Sequence, residues 1–150
     1  MKKVILIYTS STGSTEAIAE VIIEELKQNN EIDFTVKDSF DATPAELQAY
    51  DGILIGTYTW DGGVVPDEFM DFYEELDGEN LTGKAAAVFG SGDSYYTNTF
   101  GAALTLFSQK LSELGANVIL PNFLIDLFPE DTDLVSAKQF AQHFSHSLLK

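Results

Sequence analysis

Val4-Ile5-Leu6-Ile7 opens the hydrophobic pattern of the chain as an unbroken apolar run. A run without polar alternation marks a strand buried on both faces. A hydroxyl-rich stretch from Thr9 to Thr15 follows, and then Ile18, Ala19, Ile22 and Leu26 recur at helical spacing, which predicts a helix through about Gln28. Asp33-Phe34-Thr35-Val36 reads as a second strand. Thr43-Pro44-Ala45-Glu46 has the form of an N-cap with proline at the first helical position, so a short helix starts there. Gly52-Ile53-Leu54-Ile55-Gly56-Thr57-Tyr58 is a third buried strand, ending in the glycine loop Trp60-Asp61-Gly62-Gly63. A helix from Pro66 carries Phe69, Phe72, Tyr73 and Leu76 on one face.

The alternation continues to the end of the chain. Ala85-Ala86-Ala87-Val88-Phe89-Gly90 predicts a fourth strand, with a loop from Ser91 to Thr97 behind it. Phe100, Leu104, Phe107, Leu111 and Leu114 mark the next helix, which Gly115 stops. Val118-Ile119-Leu120 starts a fifth strand that resumes as Phe123-Leu124-Ile125 beyond Pro121, and Leu134, Ala137, Ala141, Phe144 and Leu148 mark a closing helix. Strand and helix in regular alternation give an α/β fold: an open, doubly wound parallel sheet with helices on both faces. Ligands of such sheets sit at the carboxyl ends of the strands, near the switch in strand order. The loops after strands one, three and four therefore carry the candidate chemistry.

Composition narrows the ligand. The 150 residues suit one domain, 1–150, and 45% apolar content is enough for a core. Eight basic residues, all lysine, stand against 24 acidic ones, giving a net charge of −16. Such a chain repels nucleic-acid phosphates and anionic lipid, so neither nucleic acid nor membrane is an expected partner. The absence of cysteine excludes disulfides, thiolate metal sites and cysteine nucleophiles. The apolar start is only four residues long and runs straight into polar ones, unlike a signal peptide, so the expected setting is the cytoplasm.

The first loop, Ser10-Ser11-Thr12-Gly13-Ser14-Thr15, sets five hydroxyls and a glycine where a buried strand meets a helix N-terminus. Unpaired N–H groups and a partial positive charge make that position a phosphate site. N-capping alone needs one hydroxyl. No basic residue lies between Lys3 and Lys27, so hydroxyls and amides would do the binding. The Gly-Lys-Ser/Thr step of a nucleoside-triphosphate loop is absent, as is the dinucleotide glycine fingerprint.

Ser10-Ser11-Thr12-Gly13-Ser14-Thr15-Glu16 after a first strand resembles the FMN-phosphate signature of the flavodoxin family, with Ser14 where asparagine is usual. Thr57-Tyr58-Thr59-Trp60-Asp61-Gly62 resembles the family's first flavin loop, and Gly90-Ser91-Gly92-Asp93-Ser94-Tyr95-Tyr96 resembles the second. The resemblance covers the whole chain and is to the short-chain type. It implies the strand order 2-1-3-4-5, one noncovalent FMN, and the cofactor residues Ser10, Ser11, Thr12, Gly13, Ser14, Thr15, Tyr58, Thr59, Trp60, Asp61, Gly62, Ser91, Gly92, Asp93 and Tyr96. By this match Trp60 and Tyr96 cover the two ring faces, Tyr96 being chosen over Tyr95 on spacing, and Asp93 lies at the pyrimidine edge. Family members often have glycine directly after the inner aromatic; here Asp61 precedes Gly62.

The function this implies is a low-potential one-electron carrier, monomeric, working between a reductase or ferredoxin-type donor and acceptor enzymes. No catalytic acid, base or nucleophile and no metal site are expected. Residues 61–79 hold eight acids and no basic residue, which suits docking to basic-surfaced redox partners and disfavours an anionic reduced flavin. A rival is an FMN-dependent NAD(P)H or quinone oxidoreductase on the same fold, but two aromatic plates would obstruct its substrate. A phospho-accepting receiver would want an aspartate at the end of the third strand, where Thr57-Tyr58 stands. His143 and His146, on the last helix and away from the three loops, read as surface or partly packed residues with no catalytic role.

Overall fold

The computed structural model describes residues 1–9, 13–59, 65–93 and 100–150. Strand β1 (Lys2–Tyr8) leads into helix α1 (Gly13–Lys27), followed by β2 (Ile32–Asp38), a 3-10 turn (Pro44–Ala49) and β3 (Gly52–Tyr58). Helix α2 (Asp67–Glu75) tightens into a 3-10 turn (Leu76–Gly78) before β4 (Ala85–Gly92) and α3 (Ala102–Glu113). Two short strands, β5 (Asn117–Val118) and β6 (Phe123–Asp126), precede α4 (Asp131–Leu149). The sheet is parallel throughout, in the order β2-β1-β3-β4-β5, with β6 also paired to β4. The expected 2-1-3-4-5 order is present.

Alternation within the apolar runs divides the core into two layers. Val4, Leu6, Leu54, Ala87 and Phe89 face one side, where Ile18, Ala19, Ile22 and Leu26 of α1 meet Ala137, Ala141, Phe144 and Leu148 of α4. Ile5, Ile7, Ile53, Ile55, Ala86 and Val88 face the other, against Phe69, Phe72 and Leu76 from the α2 segment and Leu104, Phe107 and Leu111 of α3. Each fully buried valine, leucine, isoleucine or phenylalanine among them contributes about 1.5–3 kcal/mol. Phe69 and Phe107 join α2 to α3 edge to face, with ring centroids 4.9 Å apart.

Beyond shifts of one or two residues at the ends of β1, β2 and β5, four features differ from the sequence expectation. The segment after Thr43 is a 3-10 turn instead of an α-helix; six residues are too few for a stable α-helix alone. Gly13, Ser14 and Thr15 form the first turn of α1 and do not precede it. Helix α3 starts at Ala102, leaving Phe100 outside, because Gly101 has φ +76 and turns the chain left-handed before the helix. Its end follows expectation: with Gly115 at φ +102, the Ala116 N–H donates to Leu111 O at 3.0 Å and the Gly115 N–H to Ser112 O at 3.0 Å. This is the Schellman arrangement. Finally, Ser91 and Gly92 belong to β4, which is held from both sides by the Tyr58↔Ser91 register with β3 and the Ser91↔Ile125 register with β6. The fifth strand does break around Pro121, which lacks the N–H that a ladder needs. His143 and His146 are exposed on α4, as read from the sequence.

Candidate functional site

Connections from β1 and β3 leave toward opposite edges of the sheet, so the switch in strand order lies between their carboxyl ends. The described parts of all three sequence-predicted loops converge there. Gly13 is exposed, Ser14 half-buried and Thr15 buried, all in the first turn of α1. Thr15 Oγ1 lies 3.1 Å from Ser91 Oγ in a buried contact, which joins the first loop to the third. The carbonyl of Gly92 accepts the Leu127 N–H at 2.8 Å, so β6 closes the other flank. Asp93, half-buried, follows directly.

The second loop is tied at its base. The Tyr58 hydroxyl donates to the Glu68 carboxylate, at 2.9 and 3.1 Å from its two oxygens, and Thr59 Oγ1 accepts the Ala103 N–H at 3.2 Å. The second contact satisfies one of the donors that a helix N-terminus leaves open. Tyr58 and Thr59 thus bind protein groups on α2 and α3 and frame the loop. Ser10, Ser11, Thr12, Trp60, Asp61, Gly62 and Tyr96, with Tyr95, lie outside the described residues.

Charge at this end of the sheet is negative. Burial, reinforced by the carboxylates of Glu16, Asp38 and Glu20, holds the Tyr8 phenol above its usual pKa. Along α2, Asp67, Asp71, Glu74 and Glu75 are exposed, in keeping with an acidic rim. Three of the seven described acids depart from that reading, among them half-buried Glu79, which accepts a hydrogen bond from Gln48 Nε2 at 3.0 Å. Glu68 is half-buried on Tyr58, and Asp77 pairs with Lys110, whose ammonium also sits over the Tyr73 ring at 4.4 Å. Asp77 raises the Lys110 pKa through their hydrogen bond.

The described residues fit an FMN phosphate without a cation. Gly13 opens α1 at the switch point, and a Cβ there would come near only Phe128 among the described residues, 3.8 Å from its Cε2, leaving room for an oxygen close to the backbone. Sequence reasoning did not find Glu68 as the partner of Tyr58, nor Phe128 beside Gly13. The only signal for the second was an unusual apolar pair, Leu127-Phe128, between an aspartate and a proline.

The flavodoxin family model matches residues 6–140. The chain belongs to the flavodoxin family. It is 37% identical to probable flavodoxin 2 of Bacillus subtilis over 147 residues, 97% of this chain and 95% of the relative. It is 39% identical to the flavodoxin of Maridesulfovibrio salexigens over 139 residues, 91% of this chain and 94% of the other. The crystal structure of oxidised flavodoxin 1 from Bacillus cereus superposes with a TM-score of 0.92 at 39% identity, covering 96% of this chain and 97% of that one. Only four residues separate β5 from β6, as suits a short-chain flavodoxin. As a flavodoxin, the chain is an FMN-binding electron carrier and not an enzyme; nothing in these relationships favours the oxidoreductase alternative.

Proposed function

We propose that residues 1–150 form a single FMN-binding domain in which Ser10, Ser11, Thr12, Gly13, Ser14 and Thr15 hold the phosphate. In this reading Tyr58, Thr59, Trp60, Asp61 and Gly62 form one wall of the flavin site, and Ser91, Gly92, Asp93 and Tyr96 form the other. The observation that supports it is the buried Thr15–Ser91 contact, which ties the first loop to the third. FMN supplies the redox chemistry when bound; the protein orients the ring, excludes water and sets the surrounding charge. Hydroxyls and backbone amides bind the phosphate, and the acidic rim disfavours additional negative charge on the ring. The carrier works at low potential, as a cytoplasmic monomer, between a donor and an acceptor with basic surfaces. An anaerobic reductive titration tests this. Two separated one-electron steps are expected, with long-wavelength absorbance between them. Direct two-electron bleaching by NAD(P)H would sink the reading.

A further inference from the structure

Among the described residues, five large apolar side chains are more than half exposed: Met1, Phe40, Leu127, Phe128 and Val135. Three of them directly follow the carboxyl ends of strands. Phe40 comes two residues after β2, at one edge of the sheet, and Leu127-Phe128 follows β6 on the other side of the β1–β3 switch point. They therefore flank the cofactor site from both sides.

Leu127 is also the positive-φ non-glycine residue among the described residues, at φ +60, and its N–H is anchored on Gly92 O. A leucine in the left-handed region costs free energy that glycine would not. A leucine 59% exposed gains little burial within the chain to offset that cost. The turn directs Leu127 and Phe128 outward together, with Phe128 close to Gly13 on α1.

Both apolar tips have acidic flanks. Phe40 lies between Asp38, whose carboxylate accepts the Phe40 N–H at 3.0 Å, and exposed Asp41. Leu127-Phe128 lies between exposed Asp126 and the exposed pair Glu130 and Asp131, and no lysine occurs from residue 111 to residue 137. An apolar centre with a charged rim is the anatomy of a protein docking surface.

We propose that Phe40 and Leu127-Phe128 are paired apolar anchors of the surface on which a redox partner docks. The partner's face is apolar opposite these side chains, with lysine or arginine around them. The inference rests on the electron-carrier reading and adds the position and apolar character of the docking surface.

The test uses the FMN-loaded full chain and a cytochrome c, whose exposed haem edge is apolar and ringed by lysines. Stopped-flow oxidation of the reduced carrier is measured over a range of ionic strength for the parent, Phe40→Ser, Leu127→Gly and Phe128→Ser. Each substitution should lower the second-order rate constant about 3- to 10-fold, the size of an anchor contact. The shift should be nearly parallel at all salt concentrations, because no charge changes. FMN affinity should stay within about twofold, because the anchors act on the partner. Leu127→Gly should leave the melting temperature unchanged or raised, the opposite of a structural role for leucine.

Equal rates for the parent and all three variants would overturn the anchors while leaving the carrier reading intact. Loss of FMN affinity in Phe128→Ser would make that ring a cover for the phosphate. A dimeric parent that Phe128→Ser dissociates would make the face a contact with a second copy. A parent that transfers no single electrons to the cytochrome would overturn the carrier reading, and the docking proposal with it.

Discussion

Tyr58 donates its phenolic hydrogen to Glu68 across the base of the segment that carries Trp60. Tyr58 ends β3 and Glu68 lies in the first turn of α2, so one side-chain contact closes the whole loop. Tyr58→Phe keeps the ring and deletes the bond. Its half-buried carboxylate partner can take up water, so the expected loss is about 0.5–1.5 kcal/mol in urea unfolding. FMN affinity should fall as well, because the loop loses its tie. Unchanged stability in both FMN-free and FMN-loaded protein would show that the contact is no brace.

A second ion pair makes a pH prediction away from the site. Lys37 Nζ lies 2.8 Å from Glu46, and the Thr43 N–H donates to the same carboxylate at 2.7 Å. Burial pushes the Glu46 pKa up, but Lys37 and Thr43 outweigh it and hold the group below its ordinary 4.5. The hydrogen bond to Glu46 raises Lys37 above its ordinary 10.5. A depressed carboxylate contributes stability above its unfolded pKa and loses it as pH falls through the folded one; the raised lysine loses its share as pH rises through its folded value. Glu46→Gln should therefore destabilise at neutral pH, and its difference from the parent should shrink below pH 4.5. A difference that stays constant in urea unfolding between about pH 3 and 7 would show that the pair adds nothing.

The phosphate loop is tested by Thr12→Val, which removes a hydroxyl at nearly constant shape. FMN binding should weaken by about 1.5–3 kcal/mol, the range for a hydrogen bond to a charged group. Riboflavin binding should barely change. Equal losses for both ligands in calorimetry would place the phosphate elsewhere.

The strands were legible in the sequence because burial on both faces leaves a continuous apolar run, and β3 matches its expected bounds residue for residue. The end of β4 and the start of α3 were not. Ser91 and Gly92 are turn-formers by composition, yet β3 and β6 hold Ser91 from both sides and β6 pairs with Gly92, which keeps them in the strand. Phe100 has the right spacing for α3, but the positive φ of Gly101 sets the helix start. The family followed from the loop motifs, although Ser10, Ser11 and Thr12 lie outside the described residues. The Thr15–Ser91 and Thr59–Ala103 contacts were not legible, since they join residues 76 and 44 positions apart and exist only once the sheet register is set. Glu68 counts among the eight acids of the rim by sequence, and nothing in the pattern names Tyr58 as its partner.

The Tyr58–Glu68 contact decides which rim acids a charge-reversal variant can use. Replacing Asp67, Asp71 and Glu74 with lysine alters the acidic rim and spares the Tyr58–Glu68 contact. Reduction of a basic cytochrome should slow at low salt, with a flatter ionic-strength dependence, while FMN affinity stays constant. An unchanged low-salt rate would mean that this rim does not guide encounter.

The last prediction concerns Asp61-Gly62, where the chain departs from the family's common order. The carbonyl of residue 61 would be able to accept a hydrogen bond from a bound, reduced flavin if its peptide turned over. Glycine at 61 makes that turn cheap, whereas an L-aspartate costs on the order of 1 kcal/mol in a left-handed geometry. At 1.36 kcal/mol per factor of ten, such a cost would reduce the stabilisation this carbonyl could give by roughly fivefold. Asp61→Gly removes this strain but also a negative charge near the ring, which by itself makes reduction easier. Asp61→Asn removes the charge at nearly constant shape and serves as the control. The first-electron potential should therefore rise more in Asp61→Gly than in Asp61→Asn, by the backbone contribution alone. Equal shifts in a spectroelectrochemical titration would assign the whole effect to charge and rule out backbone strain as its cause.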